Sequence, residues 1–241
     1  MKKKLLLTLG CSFTEGLGCY GDDVTKEEID SIKSGIIPNK FTKRFQEYGW
    51  PKTLYNLLNY DELINLGKMG ASTSGNLKYL SEKYLDKDLS DYEVLVIWQL
   101  PEVGRISFYI YSEDWKDYRI QNFILNEDDS FSEEIINKVK HPYETGIREQ
   151  IFYIKMMEQI CENKGWNLIL LPTAIETYEK LNELYSSKHF FSEPLDFIDF
   201  PKEGYFSPIC LHPNEKGYKF IGERIYKLID KDFKHLLNKS I

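Results

Sequence analysis

The sequence has few cysteines and no long apolar run. Its 241 residues include four cysteines, at positions 11, 19, 161 and 210, and their spacing does not match the paired spacing of zinc sites. No stretch reaches the roughly 20 consecutive apolar residues that span a bilayer. The run Leu5–Leu9 is too short for a secretory signal. These absences predict a cytoplasmic protein with reduced thiols and no membrane partner.

Positive charge is also scarce, because 31 basic residues face 38 acidic ones and give a net charge of −7. Nucleic acid is therefore not expected as a partner, since phosphate binding needs a concentrated positive surface. No motif repeats at a fixed period, and neither a dinucleotide-binding glycine pattern nor a P-loop is present. Apolar residues make up 42% of the chain and are dispersed, which predicts one folded α/β domain over residues 1–241.

Four short apolar runs predict strands buried on both faces: Lys4–Leu9, Glu62–Leu66, Glu93–Trp98 and Trp166–Leu171. Helical patterns separate and follow these runs. They predict helices over Lys52–Asn59, from a capping Ser74 to Leu85, over Glu144–Asn163, and from Pro213 to about Leu237. Strands that alternate with helices indicate a parallel sheet covered by helices on both faces.

Two segments interrupt this alternation and are interpreted as insertions. Gly21–Lys40 is charged, with a short helix expected around Lys26–Lys33. Arg105–Ser132 contains strand-like pieces at Ile106–Tyr111 and Tyr118–Leu125, which predict a hairpin-like elaboration or a partner-contacting flap. Its aromatic side chains either stack on a sugar or pack the hairpin; they are Phe108, Tyr109, Tyr111, Trp115 and Tyr118.

Polar residues follow the predicted strands, where an open α/β sheet binds its ligands. After the first strand, Ser12 is either a nucleophile or a helix cap. After the second, Gly70 offers a backbone N–H to a substrate oxygen or simply forms a turn. After the third, Gln99 offers an amide donor that either stabilises the negative charge on that substrate oxygen, as in an oxyanion hole, or binds a loop carbonyl.

One histidine stands out by its position. His212 immediately precedes Pro213, so the start of the last predicted helix fixes its direction. The other three, at positions 141, 189 and 235, occur in polar loop contexts or on a terminal helix face, which favours solvated roles. A lone histidine is usually structural, so the function of His212 depends on what accompanies it.

Three blocks of the sequence together resemble the SGNH (GDSL-type) hydrolase family. They are the strand with Gly-x-Ser-Phe-Thr-x-Gly at 5–16, Asn-x-Gly-x-x-Gly-x-Ser at 65–72, and Leu-His-Pro-Asn-Glu-Lys-Gly-Tyr at 211–218. They occur in the family's order along the whole chain. The resemblance implies a three-layer α/β/α fold with a flavodoxin-like parallel sheet. It also implies Ser12 as nucleophile, His212 as general base, and the N–H groups of Ser12 and Gly70 as oxyanion donors.

The sequence departs from the family pattern at three positions. Cys11 occupies the usual aspartate position before the serine, and Gln99 is only a chemical substitute for the usual asparagine. Ile209 occupies the position of the acid that orients the histidine. Replacement acids are available nearby at Asp196, Asp199 and Glu203, and Asp199 is the preferred prediction. A backbone carbonyl in the same role and a Ser-His dyad are the alternatives.

The sequence therefore predicts a serine esterase that hydrolyses small acyl esters, such as acetyl groups on a small molecule or a carbohydrate. This chemistry needs no metal and no organic cofactor. Two alternatives are an acyltransferase with the same site and a catalytically degenerate binding or assembly module. A metal site is a further alternative, built from Cys11, Cys19, Cys210 and His212, although these residues lack a recognised ligand spacing.

Overall fold

The computed structural model describes residues 2–21, 23–34, 36–103, 105–112, 117–124, 142–195, 204–210 and 212–237. The strands in these ranges are β1 Lys3–Leu9, β2 Glu62–Asn65, β3 Tyr92–Leu100, β4 Arg105–Ser112, β5 Asp117–Ile124 and β6 Asn167–Pro172. The helices are α1 Ser12–Glu15, α2 Lys26–Lys33, α3 Lys40–Tyr48, α4 Trp50–Leu58, α5 Thr73–Leu80, α6 Pro142–Lys164, α7 Ile175–Leu184 and α8 Glu215–Asp232. No helix among these residues is long and apolar enough to cross a membrane.

The main sheet is parallel and has the strand order β2-β1-β3-β6. Leu5 of β1 pairs with Glu62 on one side and Val94 on the other, so β1 lies in the interior of the sheet. Residues Leu5–Leu9 are buried, as expected for a strand with helices on both faces. The predicted parallel sheet is confirmed, and its four strands match the predicted ranges within two residues at each end.

Two hydrophobic clusters cover the two faces of the sheet, because successive strand residues point in opposite directions. On one face, Leu6 packs in a cluster with Trp50 of α4 and Ile221 of α8. On the other, Leu5 and Leu7 pack in a cluster that α5 and α6 complete, with Leu80 and Ile154. The fold is therefore a three-layer α/β/α sandwich.

The segment after β3 forms a separate antiparallel hairpin. Arg105 pairs with Ile124 at its open end and Ser112 with Asp117 near its turn. The side chains of Phe108, Tyr109, Tyr111 and Tyr118, and all of Trp115, lie outside the described residues. Their proposed sugar contact therefore stays a prediction.

The four helices predicted between and after the strands all begin two residues away from the observed start, and at two of them the difference changes the residue that caps the helix. Ser72, not Ser74, caps α5, because its Oγ accepts the Gly75 N–H at 3.0 Å. The last helix begins at Glu215 behind the N-cap Asn214, whereas Pro213 pairs with Phe206 in a short β-bridge. In both helices the cap is the residue whose side chain accepts the otherwise unpaired N–H of the third helical residue, Gly75 or Gly217. Helices α3 and α7 were not predicted.

Candidate active site

Ser12 lies at the first position of α1, immediately beyond the turn that follows β1. The turn is possible because residue 10 is glycine: a Cβ there would lie 2.2 Å from Thr14 Oγ1 and 2.5 Å from Gln99 Oε1. This close approach brings the Ser12 turn against the end of β3. Ser12 is 4% exposed.

His212 meets Ser12 across the loops at the carboxyl end of the sheet. The His212 Nε2 atom lies 2.8 Å from Ser12 Oγ, although the two residues are 200 positions apart in the sequence. The backbone around His212 is fixed by the Ser207 N–H, which donates to the His212 carbonyl at 2.9 Å. The structure thus brings together the predicted nucleophile and the predicted base at hydrogen-bonding distance.

The segment from His212 to Tyr218 makes two contacts with the loop that follows α1. Tyr218, fully buried in α8, donates its hydroxyl to the Leu17 carbonyl at 2.7 Å. Gly18 has φ +111°, and a Cβ on it would lie 2.2 Å from the Pro213 carbonyl oxygen. The separation of Ser12 and His212 therefore depends on tight packing between distant parts of the chain.

The environment of His212 favours its neutral form. Burial lowers its pKa to about 4, and the Arg105 cation adds to this effect while Glu102 opposes it. The His212 ring also packs against Phe13, with ring centroids 5.0 Å apart. If Ser12 donates to Nε2, the proton of the neutral ring is on Nδ1. Nδ1 is buried and has no hydrogen-bond partner among the described residues.

Gln99 is fully buried beneath the Ser12 turn. Its Oε1 accepts the Cys11 N–H at 3.1 Å and the Thr14 hydroxyl at 2.9 Å. Its Nε2 donates to Thr173 Oγ1 at 2.6 Å and to the Leu100 carbonyl at 3.2 Å. Because a backbone N–H can only donate, the amide oxygen must face Cys11, and both amide hydrogens are directed elsewhere. This arrangement assigns Gln99 to holding the Ser12 turn and not to the expected oxyanion contact.

Gly70 lies in the loop between β2 and α5, which docks on the same turn. The Lys68 N–H donates to the Gly10 carbonyl at 3.1 Å, and the Met69 N–H donates to Glu15 Oε2 at 2.6 Å. Burial raises the pKa of Glu15, and Lys68 and the Met69 N–H oppose that rise. The loop that carries Gly70 is thus attached to both sides of Ser12.

Three further residues support the site without having been predicted to do so, although Asn65 begins the block at 65–72. Asn76 donates to the Gly10 carbonyl at 3.2 Å and accepts from Trp98 at 2.8 Å. Asn65 donates to the Thr14 carbonyl at 2.8 Å, and Thr173 binds Gln99. Asn65 and Thr173 lie at or just after strand ends, so the rule that identified Ser12 could have identified them. Asn76 lies within α5, and its sequence carries no comparable signal.

The remaining predicted residues are the four cysteines and the three candidate acids. The four cysteines are free thiols, and burial raises the pKa of Cys19 and brings that of Cys161 to about 12. Within the described ranges, His, Cys, Asp and Glu form no group of three or more that could hold a metal ion. Asp199, together with Asp196 and Glu203, lies outside the described residues.

Comparison of the sequence with protein-family models and with curated protein sequences finds no match. Solved structures do match. One belongs to a protein described as a member of the G-D-S-L lipolytic family from Desulfitobacterium hafniense DCB-2, with 17% identity, a TM-score of 0.50, and coverage of 93% of this chain and 99% of that one. Another is the psychrotrophic esterase EstA from Pseudoalteromonas sp., inhibited by monoethylphosphonate, with 15% identity, a TM-score of 0.51, and coverage of 96% and 99%.

A third similar structure is a family two carbohydrate esterase from Clostridium thermocellum in complex with cellohexaose. It has 12% identity and a TM-score of 0.51, and the match covers 97% of this chain but only 65% of that one. At sequence identities of 12%, 15% and 17%, the structural similarity shows the fold alone. The chain has the three-layer α/β/α fold of SGNH (GDSL-type) hydrolases, as the sequence blocks predicted.

Proposed function

We propose that this protein is a serine esterase with Ser12 as nucleophile and His212 as general base. The observation that carries the proposal is the 2.8 Å separation of Ser12 Oγ and His212 Nε2 in a buried setting. A histidine whose pKa is lowered to about 4 is neutral at pH 7 and can accept a proton. The fold shared with the esterase EstA agrees with this chemistry.

The proposed reaction has two steps. Ser12 Oγ attacks the ester carbonyl while its proton passes to His212 Nε2, and the resulting oxyanion is held by the N–H groups of Ser12 and Gly70. The tetrahedral intermediate collapses, and His212 returns the proton to the leaving alcohol. Water, activated by His212, then cleaves the acyl-enzyme by the same sequence of proton transfers. The residues present supply every proton transfer in this scheme.

We propose Asp199 as the residue that orients His212. The buried Nδ1 of His212 needs an acceptor, and none of the described residues provides one. An Asp199→Asn variant should lose about 10- to 10⁴-fold in kcat if its carboxylate holds the ring, the upper figure being the loss in a protease triad. Asp196→Asn is the matched control. Wild-type rates in both variants would overturn the role of Asp199 and leave Glu203, a backbone carbonyl or a Ser-His dyad.

We further propose small acyl groups, including acetyl groups on carbohydrates, as the substrate. A structural neighbour was solved with cellohexaose, and the hairpin β4–β5 is rich in aromatic residues. The cytoplasmic location inferred from the sequence belongs to the same proposal.

A fluorophosphonate probe with mapping of the adduct tests the nucleophile. Labelling is expected at Ser12, and Ser12→Ala should lose both labelling and hydrolysis of an acetyl ester. Ser81 is an exposed serine whose hydroxyl donates to the Lys78 carbonyl, so Ser81→Ala is the matched control and should keep both properties. If wild type is not labelled and is no faster than Ser12→Ala, the fold serves binding or assembly.

A further inference from the structure

A small cleft lies near the carboxyl end of the sheet, where Ser12 and His212 also lie. It is bounded by the loop after β3, the start of α5 and the first half of α6. It is lined by Thr73, Ser74, Glu102, Arg105, Glu149 and Gln150, among others. Its volume is about 20 Å³, which is room for one or two water-sized groups. It lies close enough to His212 for the charges of Glu102 and Arg105 to act on that ring.

Arg105 is the unusual member of this cleft. Its side chain is only 9% exposed, and its Nη2 donates to Glu102 Oε2 at 3.1 Å. Its Nε–H is buried and has no acceptor among the described residues. A desolvated cation with an unused donor is costly unless an acceptor is supplied, and a bound anionic group would supply one.

The other walls of the cleft are mixed: the start of α5 suits a small anion, whereas Gln150 Oε1 is a buried acceptor with no partner among the described residues. Thr73 and Ser74 are the first two residues of α5, so the positive end of that eight-residue helix faces the cleft. Gln150 is fixed by its hydrogen bond to the Pro101 carbonyl at 2.5 Å. Glu102 is 45% exposed at the mouth, where solvent weakens its field, and Glu149 is exposed as well.

We propose that Arg105 selects substrates that carry a carboxylate close to the scissile ester, bound through its Nε–H in this cleft. This inference rests on the proposed esterase function. It makes Arg105 a substrate-binding residue and limits the substrate class to anionic esters. The carboxylate belongs either to the acyl group or to the alcohol, and the experiment separates these sources.

Two pairs of esters provide the test. In the acyl pair, 4-nitrophenyl hemisuccinate is compared with its neutral methyl ester. In the alcohol pair, the acetyl ester of 4-hydroxybenzoate is compared with that of methyl 4-hydroxybenzoate. We expect kcat/KM to favour the anionic member of one pair about tenfold to a hundredfold, the usual effect of a hydrogen bond to a charged group.

Arg105→Met should abolish this preference in the pair that shows it. Arg148→Met is the matched control, because Arg148 is an exposed arginine whose described partner is Glu144 one turn away, and it should keep the wild-type ratio. Glu102→Gln should increase the preference, since it removes the competing carboxylate. That variant keeps the test valid if Arg105→Met folds poorly.

The outcomes are distinct. Hydrolysis without preference for either anionic ester, or a preference that Arg105→Met retains, overturns this inference and leaves the esterase proposal in place. Hydrolysis of none of the four esters by wild type removes the proposed function and this inference together.

Discussion

Replacing Gly18 with alanine tests how closely the loop after α1 must pack against the segment that carries His212. Gly18 has φ +111°, and an added Cβ would lie 2.2 Å from the Pro213 carbonyl oxygen and 3.1 Å from the His212 Cβ. Gly165 provides the matched control. It also has a positive φ, +67°, but an added Cβ there meets nothing within 4 Å.

Gly165→Ala places alanine in the left-handed helical region, which costs about 1–2 kcal/mol, and the φ of +111° at Gly18 lies further from the conformations that alanine adopts. Only Gly18→Ala adds a clash with backbone, and relieving it requires the two segments to separate by about 1 Å. The Ser12 Oγ to His212 Nε2 distance of 2.8 Å would grow with that movement. A misplacement of about 1 Å near a reacting group lowers the rate roughly 10²-fold.

The assay is kcat for an ester substrate together with the denaturation midpoint of each variant. We expect Gly165→Ala to lose stability while retaining its rate, and Gly18→Ala to lose more stability and about 10² in kcat. Equal kcat values in the two folded variants would refute the argument that this packing sets the geometry of Ser12 and His212.

Three other predictions follow from the same site. The rate for a neutral ester should rise with pH through the pKa of His212, because His212 acts as a base only when deprotonated. Burial lowers that pKa to about 4, and a carboxylate at the proposed Asp199 raises it again. Arg105→Met should move this limb to higher pH, and a limb near 6.5 that Asp199→Asn leaves unchanged would contradict the burial argument. Gln99→Leu leaves the buried Cys11 N–H without its acceptor and should lower the free energy of unfolding by about 1–3 kcal/mol in a denaturant titration. Tyr218→Phe should cost about 1 kcal/mol and lower kcat, and an unchanged kcat would show that this hydrogen bond does not position the loop.

Most of the sheet could be predicted because a strand buried on both faces has a continuous apolar sequence. The run Leu5–Leu9 has such a sequence, and so do the other predicted strands of the sheet. Helix α3 was missed because it lies in a charged segment where only Phe41 and Phe45 are buried, one turn apart. A single apolar pair does not establish a helical period.

Ser12 and His212 could be predicted as candidates because each has a local signal: a polar residue after a buried strand, and a histidine before a helix start. Their contact spans 200 residues and depends on packing that no local pattern records. The residues that could orient His212 are also not fixed by spacing, because the position that usually carries the acid is occupied here by Ile209.

The sequence by itself determined the strands, their alternation with helices, and the two side chains proposed as nucleophile and base. Only the tertiary structure decided which way each polar group points. It turned the Gln99 oxygen toward Cys11 and left the Nε–H of Arg105 buried without an acceptor among the described residues. The physical reason is that apolar burial depends on residue type and order, whereas a hydrogen bond depends on which distant donors and acceptors the fold brings within about 3 Å.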